Sequence, residues 1–477
     1  MSSFKWGFID NISYQVIHFV IGIVLARLLS PYEFGLVGMI AIVFAVSQSF
    51  IDSGFSQALV RKNDCTDEDY STVFYFNLFA GIVFYLILFF AAPLISSFFN
   101  QPELVPIIRV MGINLIISSV SIIQGTIRTK RLDFKMQTKV SIIANSLSGA
   151  AGIGMAYFGY GVWSLVWQSV FRSLFSSALL WYWNNWLPKA MFNRKVLKEL
   201  FPFGSKLILS GLIYTTYRNI YYLVIGKFFS PAELGYYTRA EGFNRLPSQN
   251  ITAVFSRISY PLLSSINEDT ETLKKGYKKL IKTATLLSFT LMIGMAASSE
   301  AMIISLVGEK WRPAVPYLQL MALSGMSYPL HSLNLNILKV RGRSDLFLKL
   351  EIIKILLGVP LILIGIWLGI IPMLIGILVA SFISYYLNSL WSGVLINYGI
   401  KEQVSDIIPT LLISLIMGLV VYSLNFLVKL NPIPMLIVQT ATGFLIAAVL
   451  SEIFRLEPYL ELKKMIPIQK LKAIFAR

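Results

Sequence analysis

Apolar runs of about 18 residues or more recur from end to end of the chain, separated by short polar stretches. Each is long enough to cross a hydrocarbon core about 30 Å thick as a helix. Spanning strands would alternate polar and apolar residues over about ten positions, and these runs are continuous. The pattern predicts fourteen spanning helices, at 9–29, 34–60, 72–100, 104–127, 136–158, 161–186, 203–229, 233–260, 279–308, 313–340, 345–369, 371–398, 406–430 and 432–454.

Two of the breaks read alike. "ARLLSPYEFG" (26–35) and "GKFFSPAELG" (226–235) each close one apolar run and open the next. Ser30 can cap a helix whose first position suits Pro31, and Glu33 can reach back to complete a capping box. Ser230, Pro231 and Glu233 repeat the arrangement. A shift of 200 residues also brings Tyr14 onto Tyr214 and Phe55-Ser56 onto Phe255-Ser256, while a shift of 210 brings Trp181 onto Trp391. "KRLDFK" (130–135) resembles "GRSDLFLK" (342–349). The expected organisation is a six-helix lobe over 1–186, a basic amphipathic cytoplasmic linker over 187–202 and a second six-helix lobe over 203–398. Two further helices follow within 399–454, then a basic cytoplasmic tail over 455–477. An even number of helices per lobe makes the repeats parallel rather than inverted.

Composition agrees: 56% of the 477 residues are hydrophobic and 14% charged, with a mean hydropathy of +0.68. A soluble globular chain is excluded. The net charge of +17 would suit nucleic acid, but its distribution argues otherwise. Basic residues gather in alternate loops, among them Arg128, Lys130 and Arg131, then Arg194, Lys195 and Lys198, then Lys274, Lys275, Lys278, Lys279 and Lys282. The positive-inside rule then places both termini in the cytoplasm. Cys65 is the single cysteine, so no internal disulfide forms. The first apolar run lacks a basic leader and a small-residue cleavage site, so it is expected to remain as the first span.

Polar residues inside spans are costly and usually face a cavity or a partner. Asn11, Gln15, His18 and Gly22 share one face of the first helix, and Gln48, Asp52 and Ser56 one face of the second. In the second lobe, Ser210, Tyr214, Tyr217 or Arg218, and Tyr221 form one stripe; Glu241, Arg245, Gln249, Thr252 and Ser256 form another. A polar cavity lined by the first, second, seventh and eighth helices is expected. Arg218, Arg245 and Arg172 lie mid-span and Arg239 nearer the outside; their planar guanidinium groups suit phosphate oxygens. The candidate substrate-binding residues are therefore Arg218, Arg245, Arg172, Arg239, Tyr214, Tyr221 and Gln249. Asp52, Glu241 and His18 are the candidates for ion coupling. Simpler readings stay open: Glu241 and Arg245, like Glu351 and Lys354, can pair with each other. His18 and His331 can be packed, hydrogen-bonded residues, Asp52 a buried anchor, and the tyrosine stripe packing. No Walker loop, paired-carboxylate motif or metal-spaced His/Cys set is present. No enzyme activity, metal or cofactor is expected.

"LGYYTRAEGFNRLPSQNITAVFSRISYPLLSSINED" (234–269), with "ARLLSPYEFGLVGM" and "DSGFSQALVRK", resembles the Wzx-type polysaccharide exporters of the MOP superfamily. Within it, the branch of colanic acid and teichuronic acid exporters is the most similar. The resemblance covers most of the chain. It implies an all-α, V-shaped pair of six-helix lobes plus two helices, in the cytoplasmic membrane of a bacterium. It also implies an undecaprenyl-diphosphate-linked oligosaccharide flipped from the inner to the outer leaflet, with membrane lipids as surroundings. A glycan polymerase and glycosyltransferases are the expected protein partners, and a monomer the expected state. The family's cationic cavity maps onto Arg218, Arg245 and Arg172 by depth and helical face, without a strict motif. A multidrug exporter of the same superfamily, which would favour an acidic, aromatic cavity, and a non-transporting subunit of a glycan assembly complex are the alternatives.

Overall fold

Hydrocarbon offers no partner to a backbone amide, so the apolar runs satisfy their own N–H and C=O groups as helices. The computed structural model describes residues 2–52 and 54–465, with side chains described for 13–52, 54–216 and 219–464. Among these residues there is no strand. Contacts divide the chain into two units, Met1–Thr238 and Arg239–Arg477.

The first unit contains α1 (Ser2–Leu28), α2 (Pro31–Asp52), α3 (Phe55–Arg61), α4 (Asp67–Phe99), α5 (Leu104–Lys130), α6 (Phe134–Tyr157), α7 (Trp163–Trp183) and α8 (Arg194–Phe228), and the start of α9 (Pro231–Ser265). Here α4 packs on α5, α6 on α7 and α1, and α8 on α2. Because α8 packs on α2, the division between units falls inside α9 and not at the 187–202 linker. The second unit holds the rest of α9, then α10 (Thr270–Ala297), α11 (Ser299–Val307), a 3₁₀ turn (Glu309–Ala314), α12 (Val315–Gly325) and α13 (Tyr328–Val340). It continues with α14 (Ser344–Leu368), α15 (Ile370–Leu395), α16 (Ile400–Leu427), α17 (Pro432–Ile453) and α18 (Glu457–Met465). In this unit α10 packs on α16, α14 on α15, α13 on α15 and α16 on α17.

Nine helices among the described residues are long and apolar enough to cross a membrane. The five expected spans not among the nine are 9–29, 161–186, 203–229, 233–260 and 313–340. Two that are among the nine carry local breaks. The expected span 34–60 turns at Gly54, which is left-handed (φ 63°), and a Cβ there would lie 2.8 Å from the Gly204 carbonyl oxygen. The span 279–308 breaks at Ser298, whose hydroxyl donates to the Gly294 carbonyl at 2.8 Å. The span 313–340 becomes a 3₁₀ turn and two short helices, α12 and α13. Pro329, in the first turn of α13, has no N–H with which to continue α12. The helices α7, α8 and α9 are long, but their charged and polar residues dilute the hydropathy.

At both motifs the glutamate reaches back to the cap, and at the second the box is reciprocal. The Ser30 amide donates to Glu33 Oε2 at 2.6 Å and the Ser230 amide to Glu233 Oε2 at 3.2 Å, while the Glu233 amide donates to Ser230 Oγ at 3.2 Å. The two basic turns that resemble each other in sequence also share their backbone. Leu132 and Gly342 are left-handed, with φ of 55° and 69°. Their amides donate to Thr129 and Lys339, both at 3.0 Å. The amides of Asp133 and Arg343 reach back to Arg128 and Leu338 at 3.0 and 2.8 Å.

The expected amphipathic linker is divided. Residues 184–193 are not helical, and α8 takes up the remainder from Arg194 onward. The non-helical part is tied to the start of α4: the Lys189 amide donates to Ser71 Oγ at 3.0 Å and the Asn193 amide to Thr72 Oγ1 at 3.1 Å. Nearby, Lys62 Nζ lies 3.1 Å from both Asp69 and Glu199. Burial works against its charge, but the two carboxylates outweigh that and raise the Lys62 pKa. Of the basic tail, α18 is described; Lys470 and Lys472 lie outside the described residues.

Candidate functional site

The first unit holds an open cavity of about 430 Å³, lined from α1, α5, α6 and α7. Local sequence places its walls: Ser118 and Ser121 are one turn apart on α5, Ser141 and Asn145 on α6, and Arg172 and Ser176 on α7. Most of the lining can donate or accept a hydrogen bond, and Arg172 is its one charged member among the described residues. The Arg172 guanidinium donates through Nη1 to the Tyr14 hydroxyl at 3.0 Å. Tyr14 in turn stacks on His18, with ring centroids 5.8 Å apart. Gln48 on α2 stands behind the wall, its side-chain amide 3.1 Å from the Ser118 hydroxyl.

Several lining hydroxyls are already held by their own helix. Ser118 donates to the Asn114 carbonyl at 2.6 Å and Ser121 to the Ser118 carbonyl at 3.0 Å. A hydroxyl that donates to backbone keeps its lone pairs to accept from a ligand. Asn145 and Gln137 donate through their amide nitrogens to Ser141, Gly125 and Thr129, which leaves their amide oxygens as acceptors. The arrangement therefore offers a guanidinium for an anionic group and a ring of neutral polar groups for a hydroxyl-rich one. Among the described residues, no carboxylate lines the cavity.

The other expected residues fall elsewhere. His18 is exposed on α1, and Asp52, half-buried, is the last residue of α2; neither lines the cavity. On α8, Tyr214 is exposed and Tyr221 half-buried, and neither lines it. The side chains of Asn11, Tyr217 and Arg218 lie outside the described residues. In the second unit, the Arg239 guanidinium sits over the Trp311 ring at 5.6 Å, a cation–π contact. Arg245 is exposed and donates through Nε to Gln249 Oε1, one turn on, at 2.9 Å. Glu241 is half-buried on the same helix. Glu351 and Lys354 do pair, at 2.8 Å.

Of the cavity's residues the sequence singles out Arg172 as a candidate, but neither Tyr14 nor the serine wall. Its signal is a polar residue every third or fourth position on α5, α6 and α7. Serine is frequent in spanning helices, so that signal is weak without packing to show that the three stripes face one another.

Comparison with known proteins places this geometry. The family described as polysaccharide biosynthesis protein matches residues 24–316. The teichuronic acid biosynthesis protein TuaB of Bacillus subtilis (strain 168) is 27% identical over 348 residues, 72% of each chain. The lipopolysaccharide biosynthesis protein WzxC of Escherichia coli (strain K12) is 24% identical over 437 residues, 88% of each chain. Among solved structures, the lipid II flippase MurJ in an inward closed conformation superposes with a TM-score of 0.76 at 15% identity, covering 94% of this chain and 98% of its own. An inward-facing multidrug resistance MATE transporter of the MOP superfamily reaches 0.60 at 16% identity, covering 80% and 95%. At such identities the superpositions speak to fold, which is that of these membrane transporters. With a family match over more than half its length and the transporter fold beneath it, the chain belongs to the polysaccharide biosynthesis protein family.

Proposed function

We propose that the protein is a flippase for lipid-linked oligosaccharides. It moves undecaprenyl-diphosphate-linked glycan repeat units from the inner to the outer leaflet of the cytoplasmic membrane by alternating access. The observation that carries this reading is the cavity of the first unit, in which Arg172 is the one charged lining residue, among the described residues, within a wall of hydroxyls and amides. A diphosphate crossing the bilayer must shed much of its water, and an unpaired charge in hydrocarbon is prohibitive. A fixed guanidinium replaces part of that water, and the neutral polar wall suits sugar hydroxyls.

In this reading the fourteen spans form two six-helix lobes and two C-terminal helices, in a bacterial inner membrane with both termini cytoplasmic. Arg218, Arg245 and Arg239 belong with Arg172 to the substrate path, together with Tyr214, Tyr221 and Gln249. Asp52, Glu241 and His18 are its candidates for ion coupling. A multidrug exporter is the weaker reading, because a cationic drug gains nothing from a cavity whose one described charge is positive. Glycan polymerase and glycosyltransferase partners follow from the proposed role.

The test is complementation of an exporter-null bacterium at matched membrane levels. Arg172→Ala and Arg245→Ala are expected to abolish glycan export while leaving the protein inserted, and the lysine replacements to restore it in part. Wild-type export by both alanine variants would refute the site. In the same assay, neutral amide variants of Asp52 and Glu241 are expected to lose dependence on the proton gradient if either carries the coupling proton.

A further inference from the structure

A second cavity of the first unit, of about 230 Å³, lies where α2, α4 and α8 meet. Val43 of α2, Leu94, Ile95, Phe98 and Phe99 of α4 and Leu223 of α8 line it, and none of them carries a polar side chain. It opens on a face of α4 where Leu94 is 73% exposed and Phe98 43%. On a spanning helix such a face meets lipid chains.

The rim of this socket is cationic. Lys227 stands one turn beyond Leu223 on α8, and its ammonium lies 4.6 Å from the centre of the Phe98 ring, a cation–π contact. The same ammonium donates to the Phe98 carbonyl. That carbonyl needs a donor, because its helical partner would be Pro102, which has no N–H. Lys227 thereby closes the C-terminal end of α4, a place that suits a cation. The bond to Phe98 takes one N–H of three. Its contacts among the described residues are the Phe98 carbonyl and ring, with no carboxylate among them. An apolar socket with spare ammonium hydrogens at its rim fits an acyl chain that ends in a phosphate.

We propose that this socket binds an anionic phospholipid, with one acyl chain against Leu94, Ile95 and Leu223 and the phosphate on Lys227. The chain fills space where the lining side chains otherwise have no partner atoms. The phosphate accepts charge-assisted bonds from the ammonium. A zwitterionic lipid fills the socket equally well, but its own ammonium offsets the phosphate charge. One lysine near the surface then favours the anionic lipid about fivefold. Lys227 lies just before the Ser230–Glu233 cap, at the end of its span, which is the depth of a headgroup. The site is separate from the Arg172 cavity, and its lipid is a resident ligand and not the glycan carrier.

The test must localise the lipid, because a chain of net charge +17 attracts anionic lipids at many places. The full-length protein in phosphatidylethanolamine nanodiscs receives a trace of photoreactive phosphatidylglycerol or photoreactive phosphatidylethanolamine, with the diazirine on identical acyl chains. No isoprenoid lipid is present. Crosslinks are read by mass spectrometry in peptides covering 92–101. The phosphatidylglycerol probe is expected to label them about fivefold more than the phosphatidylethanolamine probe. Lys227→Gln should bring the two probes to the same yield, and Lys227→Arg should keep the preference. Ile95→Phe, which fills the socket, should lower labelling by both probes there and leave labelling elsewhere as in the parent. Equal labelling by the two probes in the parent overturns the proposal. So does a preference that survives Lys227→Gln, or labelling that survives Ile95→Phe. If labelling changes throughout the Lys227→Gln protein, its fold is lost, and the Lys227→Arg and Ile95→Phe arms decide. Glycan export is not part of the readout, so the flippase reading stands or falls separately.

Discussion

Gly35 and Pro231 lie so close that a Cβ on the glycine would overlap the proline carbonyl oxygen. The relation is reciprocal, because a Cβ on Gly235 would overlap the Pro31 carbonyl oxygen. The repeated Ser-Pro-x-Glu motifs therefore do more than start α2 and α9. Each carries a glycine four residues after its proline, and that glycine receives the backbone of the other copy.

This fixes the sign of a substitution. Alanine is normally better than glycine within a helix by about 1 kcal/mol. At Gly35 and Gly235 the clash is with backbone, which must move, and overpacking costs about 1–3 kcal/mol. Gly35→Ala and Gly235→Ala are expected to lower stability. Gly211→Ala on α8, where a Cβ meets nothing within 4 Å, should be neutral or stabilising. Thermal unfolding of the three variants in one detergent distinguishes these outcomes.

Leu132 holds a left-handed conformation (φ 55°) that its counterpart in the second unit, Gly342, adopts without a side chain. Leu132 is also 61% exposed, so it has little packing to lose. Leu132→Gly is expected to stabilise the protein by about 1 kcal/mol. Gly342→Leu should destabilise it by a similar amount, and denaturant or thermal unfolding measures both.

The Arg172–Tyr14 bond separates a charge effect from a positioning effect. Removing the guanidinium loses charge-assisted bonds to a phosphate, about 1.5–3 kcal/mol, so Arg172→Ala should slow export at least tenfold. Tyr14→Phe leaves the charge and removes one hydrogen-bond acceptor, and should cost about two- to tenfold. Export rates at matched membrane levels decide. Equal losses would make the pair a structural unit.

Orientation has its own test. In a Cys65→Ser background, cysteines replacing Pro102 and Lys195 should label from opposite sides. Pro102→Cys should react with an impermeant reagent in intact cells, and Lys195→Cys only after permeabilisation. Equal labelling in intact cells would defeat the proposed topology.

Much of this protein is written locally. The apolar runs determine helices because hydrocarbon leaves the backbone no other partner, and Ser30–Glu33 and Ser230–Glu233 start α2 and α9 through bonds spanning three residues. Arg172 is recognisable as a charge too costly to leave without purpose. What tertiary structure decided depends on residues far apart in sequence. Gly54 turns its helix where the Gly204 backbone approaches, and no hydropathy run records that approach. Ser118, Ser141 and Ser176 form a cavity wall because α5, α6 and α7 face one another. The side chains that meet the His331 ring, Ser381 and Asn388, come from about fifty residues on. Helix starts are set by neighbours along the chain; cavities and such contacts are set by which faces meet, and packing alone selects those.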